Sequence, residues 1–166
     1  MFSTLDHFCT WLQGTWLSQA ISSTAWIIPA LQTLHILAVS LVFSSALFVY
    51  LRAARILRGE TTTAAVARRF LPFVWWPLPV LLITGALLIT AEPARSLENP
   101  SFALKITLLV AALVVTVSYQ SGLHVNADFW QGALRRRVTG RLLAIASLLL
   151  WPGVILAGRW IAYTQP

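Results

Sequence analysis

The apolar positions of this chain fall into four long runs separated by short polar stretches. The runs cover 26–51 (WIIPALQTLHILAVSLVFSSALFVYL), 70–91, 101–119 and 142–163. At about 1.5 Å of helical rise per residue, roughly twenty residues suffice to cross about 30 Å of hydrocarbon. Each run therefore predicts a membrane-spanning helix. Pro29 is tolerated in the opening turn of the first run. Pro77 and Pro79 are expected to kink the second, and Pro152 the fourth. Asn99 before Pro100 reads as a helix cap followed by proline at the first helical position.

Residues 3–20 follow a different pattern. Leu5, Phe8, Leu12 and Trp16 recur at helical spacing, and Ser3 with Asp6 resembles a capping box. This segment is too polar to span, and with Trp11 and Trp16 it predicts an amphipathic helix lying on the bilayer surface. Short connections between the spans imply an all-α, up-down-up-down four-helix membrane bundle, one domain over residues 1–166.

Composition agrees: 58% of residues are hydrophobic, 10% are charged, and the mean hydropathy is +0.76. The net charge of +7 changes the picture further. Arg52, Arg55, Arg58, Arg68 and Arg69 cluster between the first two runs, and Arg135, Arg136, Arg137 and Arg141 between the last two. Basic loops of this kind stay in the cytoplasm. They predict an inner-membrane protein of a bacterium, multi-pass, with both termini and the loop 92–100 outside the cytoplasm. Arg95 is the sole basic residue of that outer loop. Charge arranged this way is a topology signal, and nucleic-acid binding is not expected.

One cysteine, Cys9, excludes an internal disulfide and a cysteine-rich metal site. A single methionine, at position 1, argues against a thioether-lined copper path. No cleavable signal peptide is expected, because Lys and Arg are missing before Arg52.

Four residues sit in the outer halves of the predicted spans: His35, Gly85, Lys105 and Arg159. Ionisable groups at such depth are functional candidates. Arg159 lies near a helix C-terminus, where the helix dipole favours a cation; Lys105 lies near an N-terminus, where the dipole opposes it. Lys105 thus calls for an anion, from Glu92, Glu98 or a ligand. The simpler readings are that both cations snorkel to headgroups, with Trp160 and Tyr163 as an aromatic belt, and that Gly85 only allows close packing. For His35 the simpler reading is a neutral imidazole hydrogen-bonded inside the bundle, with Gln32, three residues back, as a candidate partner. His7 belongs to the surface helix, and His124 lies too far along the third helix to share a metal with His35. A haem b held by His35 alone is the cofactor this set suggests. His35 would ligate the metal, Lys105 and Arg159 would pair with the propionates, Gly85 would admit the macrocycle, and Gln32 would stand beside the ligand.

Several short motifs carry a family resemblance over nearly the whole chain. They are Leu34-His35, Leu51-Arg52, Leu71-Pro72, Thr84-Gly85, Asn99-x-x-Phe102-x-x-Lys105, Trp151, and the ending Gly158-Arg159-Trp160-Ile161-Ala162-Tyr163. In these the chain resembles a family of bacterial inner-membrane proteins catalogued as a domain of unknown function. Such proteins tend to carry an Asp before the arginine that closes the first span, where this chain has Tyr50-Leu51-Arg52. The resemblance places His35, Lys105 and Arg159 on recognisable motifs and implies no established activity. A histidine in the first span with a lysine opening the third is also distantly similar to the bacterial membrane protoporphyrinogen oxidase and to copper-resistance membrane proteins. Those relatives imply tetrapyrrole or copper handling.

The leading expectation is a membrane subunit with a haem or other anionic cofactor in the outer half of the bundle, serving electron transfer. The alternatives are a non-catalytic membrane or assembly partner of another membrane or periplasmic protein, and a small anion or metal transporter. No carboxylate lies inside a span to couple an ion, which ranks the transporter last. No nucleophile–base set or phosphate loop points to an enzyme.

Overall fold

A computed structural model describes residues 2–57, 62–126, 128–161 and 163. Among these residues all regular structure is helical. Two short helices, α1 (Phe2–Gln13) and α2 (Trp16–Ser23), precede α3 (Ile27–Ala53). Then come α4 (Thr63–Phe70), α5 (Pro72–Trp75), α6 (Pro77–Ala91) and the short α7 (Pro93–Leu97). The chain ends with α8 (Pro100–Val125), a 3₁₀ turn at Phe129–Gln131, and α9 (Leu134–Trp160). Four helices are long and apolar enough to cross a membrane: α3, the run Thr63–Ala91, α8 and α9. Only 17–33% of the most apolar stretch of each is buried against protein. Large side chains such as Leu37, Leu82, Val114 and Leu149 face outward. Hydrocarbon is the solvent such a surface requires, so this is a multi-pass membrane protein.

The predicted surface helix proves to be two. The chain turns at Gly14, and Thr15 restarts it as the cap of α2, accepting a hydrogen bond from Ser18 N at 3.4 Å. Ser3, the expected cap, stands within α1, which runs Phe2–Gln13. Cys9, Ser18 and Ile21 form the buried side of the pair, and Trp11 and Trp16 its exposed side. The amphipathic pattern is therefore real even though the helix is interrupted.

The second span starts earlier than its apolar run. Leu71 N still bonds to Ala67 O at 2.8 Å and Trp76 N to Pro72 O at 2.9 Å, so helical backbone carries on through both proline junctions. Pro72 and Pro77 each stand in the first turn of a segment, where a missing N–H costs nothing. Pro152 sits inside the unbroken α9. The third and fourth spans run past their apolar stretches, to Val125 and from Leu134, because polar and basic residues continue the helices beyond the hydrocarbon. Arg55, at φ 62°, closes α3 in the left-handed region, with Ile56 N and Leu57 N both bonded to Leu51 O. Arg52 Nη1 donates to Leu57 O at 2.9 Å across the same turn. Arg58 of that basic cluster lies outside the described residues, as does Ala162 of the terminal motif.

Helix α3 packs on α6 and α9, and α9 on α8. Small residues make the close approaches: Ala46, Ala112 and Ala144 are fully or almost fully buried where these helices meet. At one end, Ser22 Oγ donates to Ala91 O (3.0 Å) and Asn99 Nδ2 to Ile161 O (3.4 Å). Asn99 also caps α8 as expected, its Oδ1 accepting from Ser101 N at 2.9 Å. The first bond joins the end of α2 to the end of α6, and the second the start of α8 to the residue that follows α9. The opposite end is closed by aromatics. Trp130 stacks on Tyr119 (centroids 5.6 Å apart, planes 7° apart), which meets Tyr50 edge-on, and Arg136 sits 4.5 Å from the Phe129 ring. Trp75 Nε1 donates to Gln120 Oε1 at 2.8 Å, tying α5 to α8.

Candidate functional site

His35 projects from α3 onto α6. Its Nδ1 lies 2.8 Å from Thr84 Oγ1, so its partner is this threonine rather than Gln32, which is exposed. Thr84 is almost completely buried, and its hydroxyl is 2.7 Å from Val80 O, one turn back along its own helix. A hydroxyl has one proton to give. With that proton on the Val80 carbonyl, Thr84 Oγ1 accepts from His35 Nδ1–H. In the neutral ring this leaves Nε2 carrying the lone pair. Among the described residues Nε2 has no hydrogen-bond partner.

Gly85 follows Thr84 and leaves the ring its space. A Cβ there would stand 3.6 Å from His35 Cε1, in contact with the imidazole edge. The glycine therefore lets the ring lie close to the backbone of α6.

Lys105 enters from α8. Its stem runs over Gly158 of α9, where an added Cβ would stand 3.4 Å from both Cδ and Cε and 3.6 Å from Nζ. The side chain is half-buried against that backbone, and its ammonium is within electrostatic reach of the His35 ring. The two acids expected to balance it are engaged elsewhere. Glu92 pairs with Arg95 at 2.8 Å, and Glu98 reaches Cys9. Among the described residues Lys105 has no ion-pair partner.

Four spans thus contribute to one place: His35 from α3, Thr84 and Gly85 from α6, Lys105 from α8 and Gly158 from α9. Arg159 does not join them. It is exposed, with its guanidinium carbon 5.8 Å from the centre of the Tyr163 ring, the arrangement of an interfacial belt. Gln32 also stands outside this convergence. His124 is at the other end, beside Gln120 (3.3 Å), and His7 is exposed on α1. Thr84 and Gly158 were legible only as members of short motifs. The spans are apolar on every side, so periodicity could not say which face of α6 meets α3.

The donor set limits the chemistry. Among the described residues no three His, Cys, Asp or Glu side chains come together to hold a metal ion. A lone imidazole is too few ligands for a bare zinc or copper ion. It suffices for a metal that brings its own equatorial nitrogens.

The model of a family of unknown function, DUF6644, matches residues 8–164, a range containing all four spans and every residue of this convergence. The chain belongs to the DUF6644 family. No curated protein and no solved structure matches it. For a DUF6644 protein the local geometry is therefore the ground on which function is argued.

Proposed function

We propose that this DUF6644 protein is a haem-carrying membrane subunit, with the site in the extracytoplasmic half of the bundle. The observation that supports this most is His35 Nε2, which has no hydrogen-bond partner among the described residues, within electrostatic reach of a lysine that has no ion-pair partner among them. His35 would hold the haem iron through Nε2. Thr84 would hold the ring as outer partners of metal-bound histidines do, by accepting the Nδ1 proton. Lys105 would meet a propionate carboxylate, and Gly85 keeps bulk away from the imidazole edge. Arg159 directly follows Gly158 and adds positive charge at the same end, where a second carboxylate would emerge towards the headgroups. Gln32 has no assigned part. A bound b-type haem would supply one-electron transfer. The protein's contribution is a fixed tautomer, a cation for the carboxylate and a water-poor setting. The basic loops favour a topology with both termini outside the cytoplasm of a bacterial cell.

The test is a reduced-minus-oxidised spectrum of protein purified in mild detergent after expression with haem supplied. A Soret and an alpha band, absent from His35→Ala, support the reading; featureless spectra from folded protein exclude it. The second reading is a non-catalytic partner of another membrane protein. It is favoured by the thin cover of the span Thr63–Ala91, buried over only 17% of its most apolar stretch. A stable complex that survives His35→Ala would point to it.

A further inference from the structure

A second concave site lies away from the histidine, where α2 meets the end of α6 and α7. It is a cavity of about 470 Å³ lined by Gln13, Ser18, Gln19, Ser22, Glu92 and Arg95, with Ala91 and Ala94. Six of its eight lining residues carry polar side chains, set among the apolar stems and alanines that make up most of its wall. Ser18 is 3% exposed, and among the described residues its hydroxyl makes no hydrogen bond. A hydroxyl of a cavity-lining residue that is not used within the protein is available to a guest. Ser22 by contrast is committed to Ala91 O, which fixes the floor of the cavity to the end of α6.

The charges of the rim are balanced. Arg95 Nη1 and Glu92 Oε2 are 2.8 Å apart, both partly exposed, on one turn of chain. A rim of this kind does not select a simple anion, because Glu92 would repel it. It suits a guest that carries both charges, with the anionic part on Arg95 and the cationic part on Glu92. An exposed ion pair is worth about 0–1 kcal/mol, so a guest can open it at little cost. The level is also informative. Trp16 and Trp26 flank α2 and are strongly exposed, and tryptophans so placed mark the zone of lipid headgroups.

We propose that this cavity binds a zwitterionic phosphoethanolamine group: the phosphodiester on Arg95 and the Ser18 hydroxyl, the ammonium on Glu92, the amides of Gln13 and Gln19 closing the sides. The group arrives either as the headgroup of a phospholipid or as a free glycerophosphoester, since both present the same chemistry. The assignment does not depend on the haem reading, and none of its residues belongs to the histidine site.

Native mass spectrometry of the full chain in mild detergent tests it. The protein is titrated with phosphatidylethanolamine, with phosphatidylglycerol, which lacks the ammonium, and with soluble glycerophosphoethanolamine as competitor. Wild type is expected to retain phosphatidylethanolamine several-fold more than phosphatidylglycerol. Glu92→Gln should erase that preference, and Arg95→Gln should weaken retention of both lipids. Ser18→Val, which fills the cavity without touching the ion pair, should also lower retention. Competition by the soluble headgroup supports recognition of the free group as well. Retention without competition supports the lipid as the source. Equal retention of the two lipids by wild type overturns the proposal, and so does unchanged retention in both charge variants with melting temperatures like wild type.

Discussion

At the scale of single residues, the cost of burying polar atoms in an apolar bundle decides most outcomes. Among the described residues Tyr50 Oη, Ser147 Oγ and Trp151 Nε1 are buried without hydrogen-bond partners. Removing an unpaired hydroxyl removes its desolvation cost while keeping the ring that packs on Tyr119. Tyr50→Phe should therefore leave thermal stability in detergent unchanged or raise it by up to about 1 kcal/mol. A loss of several kcal/mol would mean the hydroxyl is bonded. Cys9 lies outside the spans, and burial pushes its thiol above the ordinary range, with the Glu98 and Asp6 carboxylates adding to the effect. The thiol is the neutral form, so a raised value lowers the thiolate fraction at any given pH. Alkylation of Cys9 by iodoacetamide at pH 8 should run well below the rate of a free thiol and climb only at higher pH. Glu98→Gln should speed it. His35 was legible as a candidate because an imidazole at that depth is costly. Its partner was not, because a helix-face neighbour such as Gln32 is visible in one sequence and a threonine 49 positions away is not.

At the scale of elements, the four spans could be read from their length and composition alone, and Asn99 before Pro100 marked the start of α8 correctly. Ends were harder. Helices in lipid run on past the hydrocarbon, where hydropathy falls but helical hydrogen bonding does not, so α8 and α9 exceeded their apolar runs. The aromatic closure of the α8–α9 hairpin was not legible either, since it depends on where a loop side chain lands. Trp130 enters a slot between Gly122 of α8 and Gly140 of α9, and its Nε1 donates to Tyr119 O at 2.9 Å. A Cβ at Gly122 would stand 2.5 Å from the indole, and one at Gly140 2.9 Å, so neither glycine can take a side chain without expelling the ring. Gly122→Ala should cost about 1–3 kcal/mol, as overpacking of a tight contact does. Trp130 fluorescence cannot be resolved from the other seven tryptophans, so denaturant-induced loss of helix by circular dichroism is the measurement. Gly14→Ala, whose new Cβ would meet only carbonyl oxygens of its own turn at 3.4 Å or more, is the control.

At the scale of the whole molecule, the distribution of basic residues between the spans predicts an orientation. Reporter fusions should place the 3–4 loop around Arg135–Arg137 in the cytoplasm and the N-terminus on the other side; the reverse pattern would move the histidine site to the inner leaflet. Whichever way the bundle sits, the site draws on all four spans, His35 lying on Thr84 and Gly85 and Lys105 on Gly158. Its central feature is a histidine whose proton position is dictated by the Thr84 hydroxyl, leaving Nε2 free for a ligand. Nitrogen-15 spectra of histidine-labelled protein in detergent read that position directly, with His35→Ala identifying the resonance. The Thr84 contact predicts a protonated Nδ1 and a bare Nε2 for His35, and the haem proposal predicts loss of its Nε2 signal to paramagnetic broadening on adding haemin. A proton on Nε2, or a signal indifferent to haemin, would contradict it.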